Sequence, residues 1–205
     1  MIVTVSRAYG AAGQAVSRRA AERLGYRLLD EELDVVVATR LGTSPDVVES
    51  VGDRARGFGE RVMEQLGGGL PELAQPAASR DDDLIAERKR GIELAVREAA
   101  EAGNVVVIGR MAGAILAARA DVVRVFITAP LGWRIAHVAE SLSVSAAEAK
   151  AEVGRIDDAR REYAREHYRV AWGDARNYNL VVDTARFGVD GAGDVIAAAV
   201  RAAGG

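Results

Sequence analysis

Five short segments of the chain are apolar or β-branched at nearly every position, and the stretches between them carry apolar residues at helical spacing. Ile2-Val3-Thr4-Val5-Ser6, Tyr26-Arg27-Leu28-Leu29-Asp30, Asn104-Val105-Val106-Val107-Ile108, Val122-Val123-Arg124-Val125-Phe126-Ile127-Thr128 and Leu180-Val181-Val182-Asp183-Thr184 read as strands. The unbroken apolar run at 104–108 is what a strand buried on both faces of a parallel sheet requires. Between the strands, Val16, Ala20 and Leu24 follow the helical period, as do Leu33, Val36, Val37 and Leu41. So do Ile85, Ile92, Ala95, Val96 and Ala99, then a short helix over Met111–Ala118, then Trp133, Ile135 and Val138. A closing helix is expected from Asp190 to Ala203. Strands alternating with helices predict an α/β protein, a five-stranded, mostly parallel sheet flanked by helices.

The punctuation refines this into one α/β domain over residues 1–205 with a helical insertion at 31–102 and a long helix at 145–170. Gly25 and Gly42 stop helices, and Ser44-Pro45-Asp46 starts one. Ser145 and Glu148 form a capping box at the head of the longest helix. The segment Gly52–Asp83 holds Gly57, Gly59, Gly67-Gly68-Gly69, Pro71 and Pro76. It predicts a short helix near Glu60–Leu66 within a loop that offers little burial against the entropy of ordering. The helix from Asp83 to Ala102 would come next. A second copy of the chain, docked through the neighbouring helices as a homodimer, would help order this segment.

Candidate chemistry collects at the ends of strands. After the first strand, Gly10-Ala11-Ala12-Gly13 leads into a helix, a layout that presents backbone N–H groups and a helix N-terminus to a phosphate. The full phosphate-loop pattern G-x-x-x-x-G-K-[ST] is not met, and no lysine precedes Lys89. Asp30 and Arg110 lie at or just beyond other strand ends, so with the glycine turn they should converge on one rim of the sheet. In the long helix, Arg160 and His167 interrupt the apolar stripe of Val153, Ile156, Tyr163 and Val170. A buried arginine needs a partner. Either Asp157 pairs with Arg160 or Arg161 along the helix, or Arg160 meets a ligand.

Composition removes several classes of function. The chain has no cysteine, which excludes disulfides, thiolate metal sites and a cysteine nucleophile. With only His137 and His167, a multi-histidine metal centre is not expected. A net charge of −3 gives no field that would recruit nucleic acid. No uncharged run approaches the ~20 residues of a membrane span, and the start lacks the basic and apolar regions of a secretion signal. The expectation is a soluble, cytoplasmic protein that acts on small molecules and touches neither nucleic acid nor membrane.

Taken together, SRAYGAAGQ, RLLDEEL, VVVIGRMAGAIL, VFITAPLGWRI, GRIDDARREYAREHY and WGDARNYNLVVDT resemble, in order and spacing, the cytidylate kinase-like family of nucleoside monophosphate kinases. The resemblance implies the phosphate-loop kinase fold, ATP and Mg²⁺ as cofactors, and a nucleotide acceptor, CMP or a related small phosphate. It also implies a mobile, arginine-bearing lid over 145–170. By the same resemblance ATP phosphates would lie over Arg7, Gly10, Ala11, Ala12, Gly13 and Gln14. Asp30 and Arg110 would hold the acceptor, and Arg155, Asp157 and Arg160 would form the lid's catalytic group.

The match has gaps. The opening glycine of the standard loop falls on Arg7, the next glycine on Ala12, the lysine on Gly13 and the Mg²⁺-binding hydroxyl on Ala15. Relatives with a Ser-Arg-x-Tyr-Gly-Ser-Gly-Gly opening also lack the lysine, and commonly have arginine where this chain has Gln14. The aspartate after the family's Gly-Arg is Met111, and the acid before it is Ile108. Arg7, Arg18 and Arg155 are the arginines that could replace the lost lysine. Three functions stay open: an ATP-dependent phosphotransferase, a catalytically weak or inactive nucleotide-binding protein acting as a sensor or partner, and a structural protein with a vestigial pocket.

Overall fold

The structure is a computed structural model that describes residues 1–30 and 77–204. The helices expected at Glu31–Leu41, after Ser44 and near Glu60–Leu66, and most of the Gly52–Asp83 loop, lie outside the described residues. The chain divides into two compact units, Met1–Asp30 with Val96–Gly205, and Glu31–Ala95. The candidate site belongs wholly to the first.

That unit is built on five parallel strands, β1 (Ile2–Arg7), β2 (Arg27–Leu29), β3 (Val105–Ile108), β4 (Val122–Thr128) and β5 (Leu180–Asp183). They lie in the order β2-β3-β1-β4-β5. All four pairings are parallel, with Val5 opposite both Ile108 and Val125. The helices are α1 (Gly13–Leu24), α2 (Ala77–Ala102), α3 (Ala112–Ile115), α4 (Leu131–Leu142), α5 (Ala146–Tyr168) and α6 (Thr184–Ala202). β1 is the central strand, and the chain leaves it first toward β2 and β3 and later toward β4 and β5. This is the topological switch at which open α/β sheets bind ligands beyond the carboxyl ends of their strands.

The sequence pattern explains why β1 and β3 occupy the middle. Ile2, Val3, Val5 and Val105–Ile108 are all essentially inaccessible to water, which only strands covered on both faces achieve. β5 sits at the edge, and Val181 is correspondingly exposed. α1 and α6 pack closely because Gly193 lets the backbone approach; a Cβ there would lie 2.6 Å from Arg19 Cγ. Val16, Ala20, Ile196 and Val200 are buried in the same core cluster, each large aliphatic side chain stabilising the fold by roughly 1.5–3 kcal/mol. Near β5, Phe126 gathers Trp172 and Tyr178 at ring-centroid distances of 5.3 and 5.0 Å. Asp174 caps the short 3-10 turn there, and its hydrogen bonds with Arg176 hold its carboxyl down to about 2.

Three boundaries differ from the sequence reading. α2 spans Ala77–Ala102 and so includes residues ahead of Asp83, where Ala77 and Ala78 favour helix. α3 spans only Ala112–Ile115 because Met111 ahead of it is left-handed, at φ 54°. The last helix starts at Thr184, capped by Asp183 accepting from the Ala185 and Arg186 amides, and is broken at Gly188, φ 66° and ψ 177°. The run expected from Asp190 is its second part.

Candidate active site

The candidate site is made by the segments that leave β1 and β3 at their carboxyl ends, with Asp30 at the end of β2. The loop between β1 and α1 turns at Gly10, φ 77°, where a Cβ would lie 2.7 Å from Val138 Cγ2 and 2.9 Å from the Arg134 carbonyl oxygen. Ala12 then adopts the left-handed conformation at φ 52° and opens α1. The first-turn amides of Gly13, Gln14 and Ala15 have no acceptor within the helix. They point the positive end of α1 into the space past β1.

Arg7 ends β1, and its side chain runs across this mouth. A Cβ on Gly13 would be 2.6 Å from Arg7 Cβ and 2.7 Å from Cγ, and one on Gly109 would collide with the guanidinium. The stem therefore lies over the start of α1 and the charged head reaches the end of β3. Burial pushes the guanidinium below the usual arginine value; Asp30 pulls it back up, and Arg110 pushes it further down. Asp30 in turn accepts a 2.7 Å hydrogen bond from Gln14 Nε2. The turn Gly10–Gly13, Gln14, Asp30, Arg7 and Arg110 thus share one rim.

Arg110 is carried by an uncommon turn. Gly109, Arg110 and Met111 have φ values of 69°, 53° and 54° in succession. For residues with a side chain each such conformation costs roughly 1–2 kcal/mol. Local hydrogen bonds hold it, from Gly109 N–H to Val5 O at 2.8 Å and from Ala112 N–H to Gly109 O at 3.0 Å.

The long helix α5 reaches the loop through two residues. Asp157, 5 % exposed, accepts the Tyr9 N–H at 2.9 Å on Oδ1 and Arg134 Nη1 at 2.6 Å on Oδ2. The same Arg134 nitrogen donates to the Tyr9 carbonyl at 3.0 Å, and Nε donates to Ala129 O at 3.1 Å. Arg160 donates to the Arg7 carbonyl at 2.8 Å, lies 3.9 Å from Asp157, and has its guanidinium 5.8 Å from the centre of the Tyr9 ring. The helical pairing of Asp157 with Arg160 is present at 3.9 Å, and tertiary contacts are added to it: Asp157 pairs more closely with Arg134, and Arg160 also donates to the end of β1. Asp157, expected among the catalytic residues, has both oxygens committed to holding the loop.

Arg155 stands on the exposed side of α5 and is bidentate with Glu152, at 2.9 and 2.7 Å. Arg18 borders a shallow groove with Ala15, Arg19, Glu22 and Val189. Of the three arginines that could replace the lysine, Arg7 is the one whose side chain crosses the mouth of the cleft. Arg134 was not singled out from the sequence. Its signal was its place four residues before the buried Val138 in PLGWRIAHV, which puts a charge on the inward face of α4.

A parallel sheet in this order, with a glycine turn and a helix N-terminus beyond its central strand, defines a P-loop kinase fold. A protein from Eubacterium ventriosum, described as uncharacterized, has this fold with a TM-score of 0.66 at 20% identity over 98% of both chains. The shikimate kinase from Bacteroides thetaiotaomicron matches with a TM-score of 0.56 at 12% identity, again over 98% of both chains. Residues 2–186 match the model of the cytidylate kinase-like family, and the chain belongs to that family. Among its relatives, the cytidylate kinase of Halobacterium salinarum is 27% identical over 205 residues, covering 98% of this chain and 90% of that protein. The cytidylate kinase of Methanopyrus kandleri is 30% identical over 148 residues, 68% of this chain and 74% of that one.

Such a fold implies a Mg²⁺ ion beside the phosphates. The position of the Mg²⁺-binding hydroxyl is Ala15, and the nearby Ser17 hydroxyl donates to Gly13 O at 2.7 Å. Ile108 is buried where an acid would stand. Among the described residues no three His, Cys, Asp or Glu side chains are grouped to hold an ion. Among the described residues the side chains do not fit a protein-held Mg²⁺. No described helix is long and apolar enough to cross a membrane.

Proposed function

We propose that the protein transfers the γ-phosphoryl group of ATP to the phosphate of a nucleoside monophosphate, CMP or a close relative. The observation that carries this reading is the convergence of the α1 amides, Arg7, Asp30 and Arg110 on one rim beside the central strand. The curated relatives named cytidylate kinase support the choice of acceptor.

ATP phosphates lie over the amides of Ala12 to Ala15, Arg110 holds the acceptor phosphate, and Asp30 with Gln14 places its sugar or base. An oxygen of the acceptor phosphate forms a bond to the γ-phosphorus while the bond from γ-phosphorus to the bridging oxygen breaks. The released electron pair stays on the β-phosphate of ADP, and no protein group need become covalently attached. The protein's part is to hold two anions in line and neutralise the charge between them. Arg134, Asp157 and Arg160 contribute by fixing the loop backbone before substrate arrives. No step here depends on a protein-held metal.

A second reading is favoured by Gly13 and Ala15, which provide neither the lysine nor the hydroxyl of the loop. Without them the cleft binds a nucleotide and transfers nothing, serving as a sensor. A coupled ADP-release assay over a panel of monophosphates separates the two. Turnover with CMP or a relative is the expected result, and Arg110→Ala should weaken monophosphate binding at least tenfold while ATP binding stays within twofold. ATP binding without turnover on any acceptor would select the sensor.

A further inference from the structure

Arg7 is the feature of the cleft that neither the loop pattern nor the fold accounts for. Its side chain is half-buried, and its guanidinium makes no hydrogen bond and no close ion pair among the described residues. Asp30, the acid that affects it, accepts its hydrogen bond from Gln14 instead. A cation partly withdrawn from water with no protein acceptor is ready to take an anion. Two glycines make room for it: at Gly13 a methyl would overlap the stem, and at Gly109 it would overlap the head. Gly109 has a positive φ that suits glycine in any case, but Gly13 is an ordinary helical residue inside α1. At Gly13 the close approach of Arg7 Cβ and Cγ leaves no room for a side chain.

We infer that Arg7 is the phosphate-gripping cation of this protein, having taken from strand β1 the role that a side chain at position 13 would otherwise play. A lysine at position 13 and an arginine at position 7 exclude one another sterically, so the two changes belong together. The assignment rests on the phosphoryl-transfer reading and deepens it. Arg7 and Arg110, close enough for the charge of Arg110 to be felt at Arg7, form a paired cationic seat for the acceptor phosphate and the phosphoryl group moving onto it. An anion entering between them would supply the acceptor that Arg7 lacks. Arg160, donating to the Arg7 carbonyl, fixes where that seat begins.

The test uses the full chain and three variants, with binding of inorganic pyrophosphate, ATP and CMP measured by calorimetry beside thermal melts. Arg7→Met keeps the stem over Gly13 and removes the charge. It should lose at least tenfold in pyrophosphate affinity and on the order of 10²–10³ in any transfer rate, while melting no lower than the wild type without ligand. Gly13→Ala keeps the charge but drives the stem from its place, and should also lose affinity. Arg23→Gln, at the far end of α1 beside Asp194, is the control and should bind as the wild type does. Unchanged affinity for all three ligands in Arg7→Met overturns the assignment, whatever the melts show. Affinity unchanged in Gly13→Ala overturns the steric exchange. If the wild type transfers no phosphate, the kinase reading falls, and pyrophosphate binding to Arg7→Met still decides the role of Arg7.

Discussion

The β1–α1 loop and the β3–α3 turn leave neighbouring strands at the same edge of the sheet, and they are held in opposite ways. The loop makes few hydrogen bonds of its own, such as Ala11 N–H to Ala8 O at 3.2 Å. Its Tyr9 backbone is gripped from outside by Asp157 and Arg134, two side chains far away in sequence. The turn Gly109–Met111 is closed by bonds within itself and to β1, and keeps its shape at the expense of two side-chain-bearing residues in the left-handed region. The loop holds one such residue, Ala12 at φ 52°, and leans mainly on tertiary contacts; the turn holds two and leans on local bonds. Strain of this kind is retained where it aims a functional group, and here it aims Arg110. The loop has no side chain to aim, only amides, and these are fixed best by clamping the backbone.

The largest effect that would break this comparison is expected at Asp157. Its replacement by alanine leaves Arg134, 13 % exposed, without its carboxylate, and should destabilise by about 3 kcal/mol or more in denaturant unfolding. Combining it with Arg134→Met should recover much of that loss, since the uncompensated charge goes too. Additive losses in this cycle would show that the pair does not act as one clamp.

A smaller effect is expected in the turn. Met111→Ile places a β-branched residue at φ 54° and should cost about 1–2 kcal/mol, with monophosphate binding weakened more than ATP binding. Equal loss for both ligands would mean that turn and loop are one mechanical unit.

The smallest lies at the head of α5, away from the clamp. Ser145 accepts from the Glu148 amide at 3.2 Å while Glu148 accepts from the Ser145 amide at 2.9 Å. Ser145→Ala should cost about 1 kcal/mol and leave ATP affinity unchanged. The hydrogen bonds from Ser145 hold the Glu148 carboxyl below its ordinary value. Its contribution is therefore complete above the unfolded glutamate pKa and fades as pH falls through the lower folded one. Urea midpoints of wild type and variant should converge on that acidic side; a difference that is constant with pH would deny the link.

Much of the frame was legible in the residues themselves. Runs such as Val105–Ile108 can be satisfied only between covered faces, so the five strands and the parallel sheet follow from period and burial alone. Strand ends placed Asp30, Arg110 and the glycine turn on one rim, because every parallel strand finishes at the same edge. The capping box at Ser145 was legible too, being a contact between residues three apart. What sequence could not decide were the partners of charges. Asp157 faces several arginines at helical spacing, and its closest partner is Arg134 on another helix, chosen by where α4 and α5 meet. Arg7 is one arginine among many until β1, α1 and β3 are set side by side. Only then do Gly13 and Gly109 become the walls around it. Local periodicity fixes which face of an element is buried, whereas the direction of a long charged side chain is set by the packing of elements remote in the chain.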